Sequence, residues 1–252
     1  ALDDRDATES MRRLGDLPQG AGRRTIALRI KLKAARLAGN TQVALDTARL
    51  LAKHRAFSPA ASASVVRGLL LASIRDARDT SSLQQFWLSL DEDERAMPEV
   101  AIPATERLVA LGGEATQARA WLLPVWEHLL PQASPRTEAH LPQLVQVLQS
   151  CLGKLDAAWL ARFETAANAN PREPRLQYLA GMACVQRQLW GKAQQLLTRA
   201  APLLQDAQLR TRAWQRLALM AEHRGDMEAS AIAWKLAAQA MVILPDNPAQ
   251  DE

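Results

Sequence analysis

The chain has 252 residues, of which 48% are apolar and only 4% aromatic, with a formal net charge of +4. Ala and Leu dominate, β-branched residues are thin and no alternating β-branched run occurs, so an all-α fold is expected and a sheet is not. Nothing approaches the roughly 18 apolar residues of a membrane span, and the two cysteines, Cys151 and Cys184, are read as buried reduced thiols rather than a disulfide framework.

Basicity is local. Residues 1–55 hold twelve Lys/Arg against six Asp/Glu, a surplus of six that leaves the remainder at −2. Residues 1–22, with Asp3, Asp4 and Asp6 ahead of Arg12-Arg13, read as a lead-in to a helical array expected over 23–252. The chain opens Ala-Leu without an initiator Met, so it is expected to be an excised piece of a longer protein.

From Arg23 the apolar set Ile26, Leu28, Leu32 and Ala35, the stop Gly39-Asn40, and then Val43, Ala44, Ala48 and Leu51 predict a helical hairpin over 28–51. Ser58-Pro59 predicts the next helix start, a hydroxyl N-cap followed by Pro at the first helical position. Thr80 or Ser81 is expected to cap a helix carrying Leu83, Phe86, Trp87 and Leu90. The acidic run Asp91–Glu94 is read as a solvated turn or a helix first turn. A hairpin over 102–125 follows, turning at Gly112-Gly113, then a weaker pair near 141–152 and 156–169. Trp121 and Trp126 are five apart, so one is expected to face a neighbouring hairpin.

Two further hairpins, over 177–200 and 214–237, carry the clearest spacing. Trp214, Leu217, Ala218, Gly225, Ser230, Trp234 and Ala237 fall at offsets 0, 3, 4, 11, 16, 20 and 23; Gly181, Ala193, Leu197 and Ala200 fall at 4, 16, 20 and 23 from Gln177. Large residues fill the gap between two antiparallel helices, and small ones sit where the backbones nearly touch. The first anchors, 28, 102, 177 and 214, are 74, 75 and 37 apart, a period that predicts about six hairpins and a dozen helices. This order of residues resembles the tetratricopeptide repeat and implies a TPR-like solenoid.

Catalytic signatures are missing. His54, His128, His140 and His223 share no metal-ligand spacing, no Gly-rich phosphate loop or Gly-x-Ser-x-Gly elbow occurs, and Glu127-His128 sits near a helix end rather than in a site. The chain is therefore read as no enzyme, with no metal. The seven tryptophans are read as core: Trp190, Trp214 and Trp234 at repeat positions, and Trp87, Trp121, Trp126 and Trp159 besides. The repeat template also places Ile26, Arg29, Lys33, Arg36 and Leu37 along a concave groove, then Arg175, Tyr178 and Met182, then Arg212, Gln215 and Leu219. Arg29, Lys33 and Arg36 are spaced four and three apart and share one helical face. The expected ligand is an acidic peptide, a C-terminal carboxylate or another anionic group. The basic quarter could also touch anionic lipid. No nucleic-acid reading motif is present.

Phe86-Trp87-Leu88 with Pro98, the run from Leu108 through Gly112-Gly113 to Ala118, Leu179-Ala180-Gly181, Trp190-Gly191-Lys192-Ala193 and Leu217-Ala218 to Gly225 are similar to the proteobacterial HemY family, as is the Asp4-Arg5-Asp6 opening. The resemblance implies an inner-membrane protein in which a pair of N-terminal transmembrane helices precedes a soluble repeat domain, residues 1–22 following the anchor. It leaves open which side of the membrane that domain faces. It implies a part in late haem biosynthesis or porphyrin metabolism, proteins of that pathway as partners, and no catalytic residues. The chain lacks the Gly-x-Gly-x-x-Gly fingerprint of the flavoprotein oxidase that shares the family's name. The alternative is a porphyrin or haem carrier that binds non-covalently through helix-gap aromatics, with His54 or His223 as axial ligand.

Overall fold

The computed structural model describes residues 9, 10, 12, 13, 25–130 and 135–242. Most of the lead-in at 1–22, and the chain end from 243, lie outside them. Thr25 to Val242 form thirteen α-helices and one short 3-10 turn at Ala201–Leu203, with no strand among the described residues. The fold is all-α, as the composition predicts. Glu9, Ser10, Arg12 and Arg13 are helical as well, and both arginines reach the Glu9 carboxylate at 2.7 Å.

The chain divides into two compact units, residues 1–112 and 113–252. The division falls in the Gly112-Gly113 turn of the hairpin predicted over 102–125, so its two helices belong to different units. The first unit holds α1 (Thr25–Leu37), α2 (Thr41–Lys53), α3 (Pro59–Asp76), α4 (Thr80–Leu88), α5 (Glu92–Ala96) and α6 (Pro98–Ala110). The second holds α7 (Ala115–Leu129), α8 (Pro135–Ser150), α9 (Ala157–Ala169), α10 (Pro174–Gln186), α11 (Trp190–Ala200), α12 (Ala207–His223) and α13 (Met227–Val242).

Three of the predicted hairpins share one turn chemistry. Gly39, Gln188 and Gly225 stand at φ +68°, +59° and +77°. The N–H of the next residue, Asn40, Leu189 or Asp226, donates to the carbonyl five residues back, on Ala35, Cys184 or Ala221, at 2.9 to 3.0 Å. That pattern closes the first helix by a Schellman motif and releases the chain into the second. Asn40 and Asp226 then cap α2 and α13 through their side chains, accepting from the N–H groups of Val43 and Ala229. The small residues at the helix crossings, Ala44, Ala193 and Ser230, are all buried. At Gly181 a Cβ would lie 2.8 Å from the Leu197 side chain, so α10 and α11 touch where the spacing predicted a small residue.

One local expectation is corrected and another is sharpened. Asp79, not Thr80 or Ser81, is the N-cap of α4, exchanging bonds with Ser82 in a capping box. The acidic run forms a helix first turn, one of the two forms expected of it, and it is not wholly solvated. Asp91 caps α5, and Glu94 turns inward, buried, where its carboxylate accepts from Arg49 Nε at 3.0 Å and Nη2 at 2.5 Å. This fork-to-fork pair joins α2 to α5. Arg107 similarly ties α6 to the end of α3 through the Ala77 carbonyl.

In the second unit Trp126, Trp159 and Phe163 form an aromatic cluster with centroids 5.2 to 6.0 Å apart. Trp121 and Trp126 are both buried, so α7 is covered on more than one side. Arg119 is wholly buried, and its guanidinium donates to the carbonyls of Cys151, Gly153 (2.9 Å) and Lys154 (3.0 Å). It thereby supplies donors to carbonyls of the segment that joins α8 to α9.

Candidate functional site

The predicted groove residues fall into two groups with different fates. On α1 the exposed face carries Ile26, Arg29, Ile30, Lys33, Arg36 and Leu37, a stripe of cations alternating with large aliphatics. Leu28, Leu32, Ala34 and Ala35 take the opposite face, buried. Ile26 is 74% exposed and Leu37 50%, well above what residues of this kind show when they serve a core. Arg29 has a structural task within the stripe: Nη2 donates to the Ala56 carbonyl at 2.5 Å, and the guanidinium lies 5.0 Å from the centre of the Phe57 ring. Lys33 and Arg36 are exposed.

Arg36 opens onto a cleft of about 530 Å³ between the α1–α2 turn and α3. Its α3 wall combines a row of small residues, Ser64, Gly68 and Ala72, spaced by one helical turn, with Val65 and Leu69 beside them and Arg75 and Asp76 at one end. A Cβ placed on Gly68 would meet nothing within 4 Å, so a ligand's backbone can approach α3 closely there.

In the second unit the matching positions are largely closed. Arg175 is half-buried and its guanidinium is engaged by the Glu173 carboxylate at 2.7 and 2.8 Å. Burial pulls the Glu173 carboxyl up, but the bonds from Arg175 outweigh it and hold the group below the ordinary carboxylate value. Tyr178 is a correction to the predicted groove. It has no exposed surface, and its hydroxyl is buried without a hydrogen-bond partner. Burial pushes the phenol well up, against the pull of Arg212 and Arg216. It is a core residue because α10 is covered by α8, α9, α11 and α12 together. Met182 is buried with it, whereas Arg212 stands exposed on α12. The structure thus gathers Arg29, Lys33 and Arg36 on one open face and leaves only Arg212 open among the later three.

The tryptophans divide against expectation. Trp87, Trp121, Trp126 and Trp159 are buried, but Trp190 is 51% and Trp234 39% exposed, and Trp214 is half-buried. Trp234 keeps its polar edge at the surface, where Nε1 donates to Glu222 Oε1 at 2.7 Å. Trp190 opens α11 beside a cavity of about 440 Å³ that Met220, His223 and Arg224 also line. His54 is exposed at the end of α2.

The two thiols are buried and free, and burial pushes both up to about 11, which leaves them unreactive at neutral pH. Glu127 lies 3.7 Å from Arg162, an ion pair across α7 and α9. Among the described residues no three of His, Cys, Asp and Glu come together to hold a metal, and no helix is long and apolar enough to cross a membrane. The sequence reading missed the Gly68 cleft wall, although Ser64-x-x-x-Gly68-x-x-x-Ala72 is a visible small-residue spacing. It also missed Arg119, for which no local signal exists. No protein-family model matches the chain, and no curated protein does.

Proposed function

We propose that this chain is a non-catalytic protein-interaction scaffold, built of TPR-like helix pairs and using the exposed face of α1 to take acidic segments of its partners. The observation that carries the reading is the stripe Ile26, Arg29, Ile30, Lys33, Arg36 and Leu37, uncovered and leading into the cleft at Gly68. Exposed large aliphatics among cations supply both parts of recognition: burial gives affinity, and charge gives partner choice and encounter rate. The open cleft wall lets a peptide backbone lie close to α3. The repeated turn at Gly39, Gln188 and Gly225 supports the TPR-like part of the reading.

On the resemblance to HemY proteins we further propose that the scaffold is tethered to the bacterial inner membrane in its full-length form, with partners in late haem biosynthesis. Contact between the basic N-terminal quarter and anionic lipid belongs to the same proposal. Crosslinking in the membrane-embedded full-length protein tests it. Haem-pathway proteins should be captured, and Lys33→Glu with Arg36→Glu should abolish the capture. Unchanged capture by that variant, or capture of no such protein, contradicts the reading.

A second reading, a non-covalent porphyrin or haem carrier, is favoured by one observation: His223 lines a cavity together with Trp190 and Met220. A Soret shift on haem titration that His223→Ala removes would support it, and absence of the shift would sink it.

A further inference from the structure

The cavity between the start of α11 and the end of α12 combines four chemistries that the scaffold reading does not use. Met220, His223 and Arg224 are three and four residues apart, so they come to one side of α12. Met220 is buried at the floor, while His223 and Arg224 are exposed. Across from them the Trp190 indole leaves half its surface uncovered, and Gly191 beside it has open space where a Cβ would stand. An uncovered indole of this size is a stacking surface, and a thioether is a polarisable neighbour for an aromatic ring.

The charge in the cavity is positive and held in place. Arg224 Nη1 donates to Gln194 Oε1 at 3.0 Å, which steadies the guanidinium from one side and leaves the rest of its donor fork to the cavity. The two nearest acids in sequence are engaged elsewhere: Glu222 Oε1 accepts from Ser230 Oγ at 3.0 Å and from Trp234 Nε1 at 2.7 Å, on α13, and Asp226 Oδ1 accepts from the Ala229 N–H at 3.0 Å. Lys192, on α11, is paired with Glu164 at 3.0 Å. Among the described residues no carboxylate pairs with Arg224.

We propose that this cavity binds a small planar aromatic carboxylate, its ring lying on the Trp190 indole over Met220 and its carboxylate taken by Arg224, with His223 alongside. The guanidinium fork matches a carboxylate in its plane, and a cavity of about 440 Å³ is at the small end of ligand pockets. The site stands apart from the α1 stripe and needs neither a peptide nor a metal, so it holds or fails independently of the scaffold reading and of ligation through His223.

The test is titration of the full chain with 2-naphthoate, with the neutral 2-naphthamide as control. Saturable one-to-one binding is expected, weakened about tenfold for the amide and about tenfold in Trp190→Ala and in Arg224→Gln. Trp190→Phe, which keeps a ring, should retain most of it. Both side chains are largely exposed, so the circular dichroism of the variants should match that of the parent. In the unsubstituted protein the Trp190 indole and Met220 methyl resonances should move with the same dissociation constant. Equal binding of acid and amide, unaltered binding in either variant, no saturable binding, or shifts confined to other residues would each overturn the proposal.

Discussion

Positions that the sequence spacing equates are open on α1 and closed on α10. On α1 the positions flanking Leu28 are Ile26, Arg29 and Lys33, all on the exposed face. On α10 those flanking Gln177 are Arg175, neutralised by Glu173, and Tyr178 and Met182, both buried. The residue template is alike, so the difference comes from what covers each helix. Among the described residues α1 packs chiefly on α2, whereas α10 is enclosed by four helices. A spacing pattern therefore assigns a residue to a helix face, while exposure depends on the neighbours that the face meets.

The largest effect expected from this contrast is on stability. Replacing Arg119 by Leu should remove several kcal/mol from the second unit, about 3 or more, because three carbonyls between α8 and α9 lose their donor. Lys33→Ala and Arg36→Ala, exposed on α1, should change stability by no more than about 0.5 kcal/mol. Urea denaturation compares them directly, and equal losses would erase the distinction between buried and open cations.

Acid should also loosen the closed region. The Glu173 carboxyl is held below its ordinary value in the fold, so its contribution is complete above the unfolded value near pH 4.3 and fades as pH falls through the folded one. The urea midpoint should decline below that pH, and Arg175→Gln should shrink the decline. An Arg175→Gln profile that falls as steeply as the parent's would contradict the assignment.

Tyr178→Phe separates groove from core. Its hydroxyl is buried without a partner, so removing it should leave stability unchanged or raised, within about 1 kcal/mol, and leave acidic-peptide binding unaltered. Loss of binding with stability intact would return Tyr178 to the groove. The smallest effect belongs to the shared turn. Gln188 occupies the left-handed conformation that Gly39 and Gly225 adopt freely, so Gln188→Gly should stabilise by about 1 kcal/mol and Gly39→Ala should destabilise by a similar amount.

Much of the fold was legible because its signals are local. Gly39-Asn40, Ser58-Pro59 and the Gly225-to-Ser230 step fix turns and caps within a few residues of themselves, and the structure has helices where they predict them. What was misread depends on distant partners. Asp91–Glu94 could be read as a solvated turn or a helix first turn, but the inward turn of Glu94 could not, because Arg49, which draws it inward, is 45 residues away. Arg119 finds its acceptors 32 to 35 residues on. Trp190 and Trp234 stand at positions that favour bulk, yet both keep much of their surface exposed among the described residues. The candidate site was half legible: the α1 cations could be placed on one face by spacing alone, but the small-residue wall of α3 beside Arg36 requires the packing of two hairpins.

The central claim, that the open face of α1 is the recognition surface, is tested most directly by fluorescence anisotropy with a labelled peptide of alternating Glu and Leu. The account predicts saturable binding that weakens with salt and falls at least tenfold in the Lys33→Glu, Arg36→Glu double variant, while a Lys/Leu peptide does not bind. Equal binding of both peptides, or full retention of acidic-peptide binding in the double variant, would contradict it.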